Sequence, residues 1–301
     1  MKHIYIIGNG FDIFTGLHTR YVEFRHWLEQ NYPFIYENMS VAYEMDGEWW
    51  NDFETQLGKL NVRNYVKKFT PPDESMNEIL DAIEKRKSIE KKYNLPPSLY
   101  FEKPCANRLK GLLDVLQYCF ERWVEDCQSI IINPNYTRIE RDNSFFINFN
   151  YTDVLERLYK IPDKRVLHIH GRASTHEHLV FGHGSHLYGD ITSTPDEEHT
   201  CFELNRYEKN PFEFIYKHKE LPDFLYDAEY VHIFGFSFSQ VDEDYLDWIV
   251  NKTPITSKWE VSWYSDIDKQ RINDFVLNHW SLKDRISLIQ LQPIEEREAL
   301  S

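Results

Sequence analysis

The chain has 301 residues, 16% of them aromatic, a net charge of −15 and a mean hydropathy of −0.59. That length suits one large domain with an insertion, or two domains, and is ample for a core. The charge excludes broad nucleic-acid binding, which needs a basic surface to neutralise phosphates, and no apolar run approaches the roughly 18 residues of a membrane span.

The run Ile4 to Ile7 predicts a buried strand, and it leads straight into Gly8-Asn9-Gly10-Phe11-Asp12. Such a short apolar run is no signal peptide, so a cytoplasmic protein is expected. A helix-compatible stretch with Tyr21, Phe24, Trp27 and Leu28 follows. Glycines at a strand-to-helix turn let a phosphate approach the main chain, and a helix N-terminus favours an anion. The start therefore suggests a nucleotide site. A tight turn in an ordinary α/β domain gives the same letters, and position 13 is Ile where the dinucleotide fingerprint has its third glycine.

Residues 31–140 read as a helical insertion. Trp49, Trp50, Phe53, Leu57 and Leu60 recur at helical spacing, and Leu109 to Ile131 is a long amphipathic helix. Between them Ser75 to Asn94 is charged and reads as an exposed helix or helix pair, bracketed by Pro71-Pro72 and Pro96-Pro97. The aromatic residues of the insertion 31–140 offer either core, the commoner fate of such residues, or an assembly surface. Strands are predicted at Phe145–Phe149, Val166–Ile169, Tyr230–Phe234, Trp259–Tyr264 and Ile286–Leu291. Helices are predicted at Asp153–Tyr159, Phe212–Leu221 (stopped by Pro222), Ser239–Val250 and Ile267–Asn278, and 172–205 reads as loops. The alternation implies an α/β, Rossmann-like fold: a mainly parallel sheet with helices on both faces, plus the helical insertion. The four cysteines, Cys105, Cys119, Cys127 and Cys201, form no Cys-x-x-Cys, so free thiols are expected and a zinc knuckle is not.

Three further motifs end predicted strands. Asn148-Phe149-Asn150-Tyr151-Thr152-Asp153 stands where open α/β sheets bind ligands. A carboxamide holds a ribose hydroxyl, another carboxamide or a water without a counter-charge; capping of the next helix by Asn150 or Thr152 is the plainer use. In His168-Ile169-His170-Gly171, strand alternation puts both histidines on one face, with His170 at the same rim as Asn150. Histidine is the natural general base near neutral pH. The alternatives are a structural histidine, or zinc held with His176, His178, His183 and His186, among which Glu177 is the only carboxylate. In Gly235-Phe236-Ser237-Phe238-Ser239, Ser237 is suited to a phosphate or ribose. Ser239 and Asp242 have capping-box spacing, and no second glycine makes a nucleophile elbow.

Together, the opening Gly8-Asn9-Gly10-Phe11-Asp12, Thr19, Tyr21, Trp50 with Phe53-Glu54, the Asn148–Thr152 block, His170-Gly171 and Gly235–Ser239 with Asp242 and Tyr245 resemble the bacteriophage abortive infection AbiH family. That family is similar in turn to the SIR2-like, sirtuin-type fold, whose glycine loop, asparagine, His-Gly and Gly-x-Ser follow in the same order. The resemblance implies a SIR2-like nucleotide-binding core over 1–30 and 141–301, with the insertion over 31–140. It implies NAD as substrate and no metal, with hydrolysis to nicotinamide and ADP-ribose. Asn150 and His170 would be catalytic. Gly8, Asn9, Gly10, Phe11, Asp12, Thr19, Asn148, Tyr151, Thr152, Gly235, Ser237, Ser239 and Asp242 would bind the nucleotide. Partners would be NAD or a related nucleotide and a second copy or a defence-system protein, with no membrane. The chain departs from the sirtuin pattern at Asp12, where sirtuins have serine, and at Thr152, where Thr-x-Asn-x-Asp has its acid. The helical insertion stands where sirtuins carry a zinc module, so deacetylation is not expected. Two rivals remain open: a nucleotide-sensing regulator without turnover, and a metal-dependent hydrolase using His168, His170 and the histidine-rich loop.

Overall fold

The computed structural model describes residues 2–46, 48–69, 84–85, 87–89, 91–93, 105–129, 131–175, 179–184, 194–218 and 221–300. The charged stretch 75–94 and its flanking prolines lie largely outside the described residues, as do His176, Glu177, His178 and His186.

Six strands form one sheet: β1 His3–Ile7, β2 Ser144–Asn148, β3 Val166–His168, β4 Tyr230–Phe234, β5 Lys258–Ser262 and β6 Ile286–Ile289. Their order is β3-β2-β1-β4-β5-β6, and every pair is parallel. The helices, in chain order, are α1 Asn9–Thr15, α2 Tyr21–Asn31, α3 Pro33–Tyr43, α4 Phe53–Gly58, α5 Val62–Phe69, α6 Cys105–Ser129, α7 Val154–Arg157, α8 Pro195–Asn205, α9 Pro211–Lys217, α10 Leu221–Leu225, α11 Glu243–Lys252, α12 Asp266–Asn278 and α13 Glu296–Ala299.

The chain divides into two compact units, residues 1–20, 124–180 and 210–301 in one, and 21–123 and 181–209 in the other. The first contains the whole sheet. Its central strands β1, β2 and β4 are largely apolar because helices cover both faces, as in most parallel sheets. Ile4, Ile6, Ile147, Val231, Ile233 and Val261 project to one face, against Leu246 and Ile249 of α11 and Ile272 and Phe275 of α12. Tyr5, Ile7, Phe146 and Phe234 project to the other, against Phe11 of α1 and Val154 and Leu155 of α7. The strands grow outward from β1 in both directions, so the topological switch point lies between β1 and β4. In doubly wound sheets the ligand crevice opens at the carboxyl ends of the two strands flanking that point.

The second unit is helical. Phe24 of α2 is fully buried and meets Trp50, Phe53 and Phe120 edge to face, with ring centroids 5.9, 5.8 and 5.4 Å away. This geometry matches the positive ring edge to the negative ring face. Trp49, Trp50, Phe53, Leu57 and Leu60 are all buried, so they are core and not assembly surface. Lys209 pairs with Glu54 at 3.0 Å, its side chain 1% exposed.

Local boundaries differ most from expectation in four places. The strand after 166 stops at His168, two residues before His170. Pro222 does not terminate a helix but stands second in α10, where its missing N–H costs nothing. The helix expected from Ser239 starts at Glu243, after a 3-10 turn over Gln240–Asp242. Within the stretch expected as loops, α8 forms behind Thr194, whose side chain accepts from the Glu197 N–H, with Pro195 and three acids in its first turn. Among the described residues no helix is long and apolar enough to cross a membrane.

Candidate functional site

The glycine turn packs against the chain itself. Gly10 N–H donates to Gly235 O at 2.7 Å, Phe11 N–H to Gly8 O at 2.9 Å, and Gly8 N–H to Phe234 O at 3.0 Å. A Cβ on Gly8 would lie 2.7 Å from Gly235 O, and one on Gly10 2.8 Å from Gly235 Cα. Gly235 has φ +64°, and a Cβ there would stand 2.0 Å from Phe11 N. These glycines are required because the ends of β1 and β4 interlock, backbone against backbone. The amides of Gly8, Gly10 and Phe11 are thereby given to the chain's own carbonyls. Asn9 and Thr19 clamp each other beside the turn: Asn9 Nδ2 donates to Thr19 O at 2.7 Å and Thr19 Oγ1 to Asn9 Oδ1 at 2.6 Å. Phe11 is buried in the core beside Tyr159 and Phe234.

Asp12, one helical turn in, is 2% exposed. Its carboxylate accepts from Asn150 Nδ2 at 2.7 Å and from Thr152 Oγ1 at 2.6 Å. Burial pushes its pKa up to about 7, partly opposed by those two hydrogen bonds. The same Asn150 Nδ2 donates to Gly8 O at 3.1 Å, and the Asn150 N–H donates to Asn148 Oδ1 at 3.0 Å. The carboxyl end of β2 is thereby stitched to the turn after β1. Neither Asn150 nor Thr152 caps α7, whose N-cap is Asp153 without a side-chain bond.

The two histidines diverge, contrary to the alternation argument, because the strand ends between them. His168 Nε2 contacts Glu156 Oε1 at 2.8 Å. Arg172 joins that cluster, 3.7 Å from Glu156, 3.8 Å from Asp153 and 3.3 Å from Asp163. Sequence reasoning misses Glu156 and Arg172. The i, i+3 spacing of Asp153 and Glu156 was the available signal, since it sets two acids on one helix face. His170 is 2% exposed and turns the other way, its Nδ1 3.2 Å from Phe149 O and its Nε2 3.5 Å from Asp242 Oδ1. A carbonyl only accepts, so the Nδ1 contact calls for a proton on Nδ1. Nε2, beside a carboxylate, is then the nitrogen able to exchange one. Phe149, Tyr151 and Tyr245 ring the imidazole with centroids 5.5, 5.8 and 6.0 Å away.

The loop after β4 brings Asp242 to His170 but leaves Ser237 exposed, its carbonyl accepting from Arg271 at 3.2 Å. Ser239 forms no capping box, because the helix begins later; its Oγ accepts from Val241 N–H at 3.5 Å. Phe238 holds φ +52° and packs on Phe236 and Phe275. His183 belongs to the helical unit and hydrogen-bonds Gly184 O and Leu204 O. Among the described residues no three His, Cys, Asp or Glu side chains are grouped to hold a metal ion.

The family model for bacteriophage abortive infection AbiH matches residues 4–263. The chain belongs to the AbiH family. The match runs from β1 to β5 and takes in Asp12, Asn150, Thr152, His170 and Asp242, in keeping with a role in phage abortive infection. No curated protein matches the chain. In this AbiH protein Asp12, Asn150, Thr152, His170 and Asp242 converge on the carboxyl ends of the strands around β1 and β4.

Proposed function

We propose that this AbiH protein is a cytoplasmic abortive-infection effector that hydrolyses NAD through a SIR2-like site. NAD⁺ and water give nicotinamide, ADP-ribose and a proton. The observation that carries this reading is that a buried His170, its Nε2 facing Asp242, and a buried, oriented Asn150 both follow strands on the same side of the switch point of a doubly wound sheet. His170 takes a proton from a ribose hydroxyl as the N-glycosidic bond breaks and the bonding pair leaves with nicotinamide; water then bonds to the vacated ribose carbon and gives up one proton to solvent, while the hydroxyl recovers its own from His170. Asn150 holds the ribose or the attacking water. The two departures from the sirtuin pattern, Asp12 and Thr152, bond to each other, so the acid at position 12 is directed at the protein and not at a pyrophosphate.

The glycine turn contributes rigidity in this reading, with Asn9 and Thr19 as its clamp. Ser237, exposed beside Gly235, is the better candidate for nucleotide contact. The test is incubation of pure protein with NAD, with and without EDTA, following nicotinamide by chromatography. Release that survives EDTA and is lost in His170→Ala is the expected result. Wild-type release in His170→Ala overturns the mechanism. Absence of release alongside calorimetric binding of NAD would instead give the nucleotide-sensing regulator.

A further inference from the structure

We infer that Asp12 is a positioning residue: it fixes the Asn150 carboxamide so that only its carbonyl oxygen, Oδ1, is left for a ligand. This rests on the reading above for what the ligand is, but not for the orientation itself.

A carboxamide can be turned either way, and its neighbours decide. The nitrogen of Asn150 faces Gly8 O at 3.1 Å and Asp12 Oδ1 at 2.7 Å. A backbone carbonyl and a carboxylate only accept, so the NH₂ must face them, and its two hydrogens are then both used. The reverse orientation would set three oxygens together in a buried place, at the full cost of unmatched polar groups. The main chain of Asn150 is committed as well: its N–H to Asn148 Oδ1, and its carbonyl to His168 Nδ1 at 3.4 Å. Among the described residues none donates to Asn150 Oδ1.

The arrangement tolerates a proton on Asp12. Thr152 bonds the other carboxyl oxygen, Oδ2, and a hydroxyl can accept as readily as it donates. With Asp12 protonated on Oδ2 the Thr152 hydroxyl reverses, while Oδ1 goes on accepting from Asn150. The titratable neighbours of Asp12 are His168 and Asp153, which pull in opposite directions. Asn150 therefore keeps its orientation in both states.

A lone carbonyl oxygen selects its partner. It accepts from a ribose hydroxyl, a carboxamide N–H or a water. It repels a phosphate or carboxylate oxygen. Position 150 thus receives the uncharged, hydroxyl-bearing part of a nucleotide or the water that attacks it, and excludes the pyrophosphate.

The experiment uses the full chain labelled with ¹⁵N at asparagine. The Asn150 side-chain NH₂ signals, recognised by their loss in Asn150→Ser, are expected to exchange slowly with solvent. Asp12→Leu, which removes the acceptor but keeps the bulk, should speed that exchange by about tenfold or more. Asp12→Asn, whose own Oδ1 can accept, should keep it slow. Unchanged exchange in Asp12→Leu overturns the proposal. Should Asp12→Leu not fold, the wild type decides: both hydrogens of the Asn150 NH₂, held by Gly8 O and Asp12 Oδ1, must exchange slowly, and exchange as fast as that of an exposed asparagine overturns it equally. In parallel, Asp12→Leu should lower kcat for nicotinamide release by about 10- to 100-fold with KM little changed, as expected for a displaced positioning group, and Asp12→Asn should restore it. If the wild type releases no nicotinamide, the hydrolase reading fails while the exchange data still judge Asp12.

Discussion

The segments that follow β2 and β4 sit at the same end of the sheet and are held by different forces. At and after the end of β2, Asn148, Asn150 and Thr152 are buried and fixed by hydrogen bonds to one another, to Gly8 O and to Asp12. After β4, hydrogen bonds from Gly10 N–H and to Ser262 Oγ hold only Gly235; beyond it the backbone takes positive φ at Phe238, and Phe236, Phe238 and Val241 anchor the segment by packing, with few side-chain hydrogen bonds. Hydrogen bonds are directional, so the first segment presents atoms in set orientations. Packing is not directional, so the second fixes where the chain runs and leaves Ser237 at the surface. His170 joins the two, bonded to Phe149 on one side and facing Asp242 on the other.

The sharpest way to break this contrast is Gly235→Ala. The added methyl meets Phe11 N at 2.0 Å in a left-handed conformation, so both segments lose their common anchor. A loss of more than about 3 kcal/mol, or no soluble protein, is expected by thermal unfolding; Gly235→Ala at wild-type stability would mean the interlock is soft. Next in size is Asn150→Ala, which strips a donor from buried Asp12 and from Gly8 O and should cost about 1–3 kcal/mol in urea unfolding, besides abolishing turnover.

The third prediction concerns pH. Asp12 is raised from 3.8 to about 7 in the folded protein. Between those values the unfolded chain ionises while folded Asp12 keeps its proton. Its contribution to stability therefore falls as pH rises from about 4 to about 7 and levels off above. Asp12→Asn removes that component, so the difference between wild-type and variant stability should vary across the window in urea titrations; a constant difference would mean Asp12 is ionised throughout. The smallest effect belongs to Ser237→Ala, within about 0.5 kcal/mol in stability because the side chain is exposed. A loss of NAD affinity in that variant would make Ser237 a nucleotide contact.

Much of the sheet was legible because the strands are short stretches between turns, either largely apolar, as in β1, β2 and β4, or alternating, as in β5. Tyr230–Phe234 matches the expected limits, and the other strands differ by one or two residues. The glycines at 8, 10 and 235 were visible too, but not their reason. A phosphate and a crossing backbone demand the same absent side chain, and the crossing strand is remote in sequence. The bond between Thr152 and Asp12 is hidden for the same cause: two residues that look like separate departures from a pattern are one contact. His168 and His170 show the reverse failure. Periodicity predicts a shared face, and a strand one residue shorter sends them to Glu156 and Asp242. Helix α8 was readable from Thr194-Pro195-Asp196-Glu197-Glu198, and it was missed because the residues that follow carry little apolar rhythm.

The central position of β1 has a consequence in time. Ile7 pairs with Asn148 on one side and Phe234 on the other, both far along the chain. During synthesis β1 emerges well before either neighbour, and the fit of Gly8 and Gly10 against Gly235 waits longest. Contacts of such long sequence separation form slowly because the intervening loop must be ordered first. A nascent chain that has not reached β4 carries Ile4–Ile7 as an apolar edge, the state in which it is most open to chaperones, proteases and self-association.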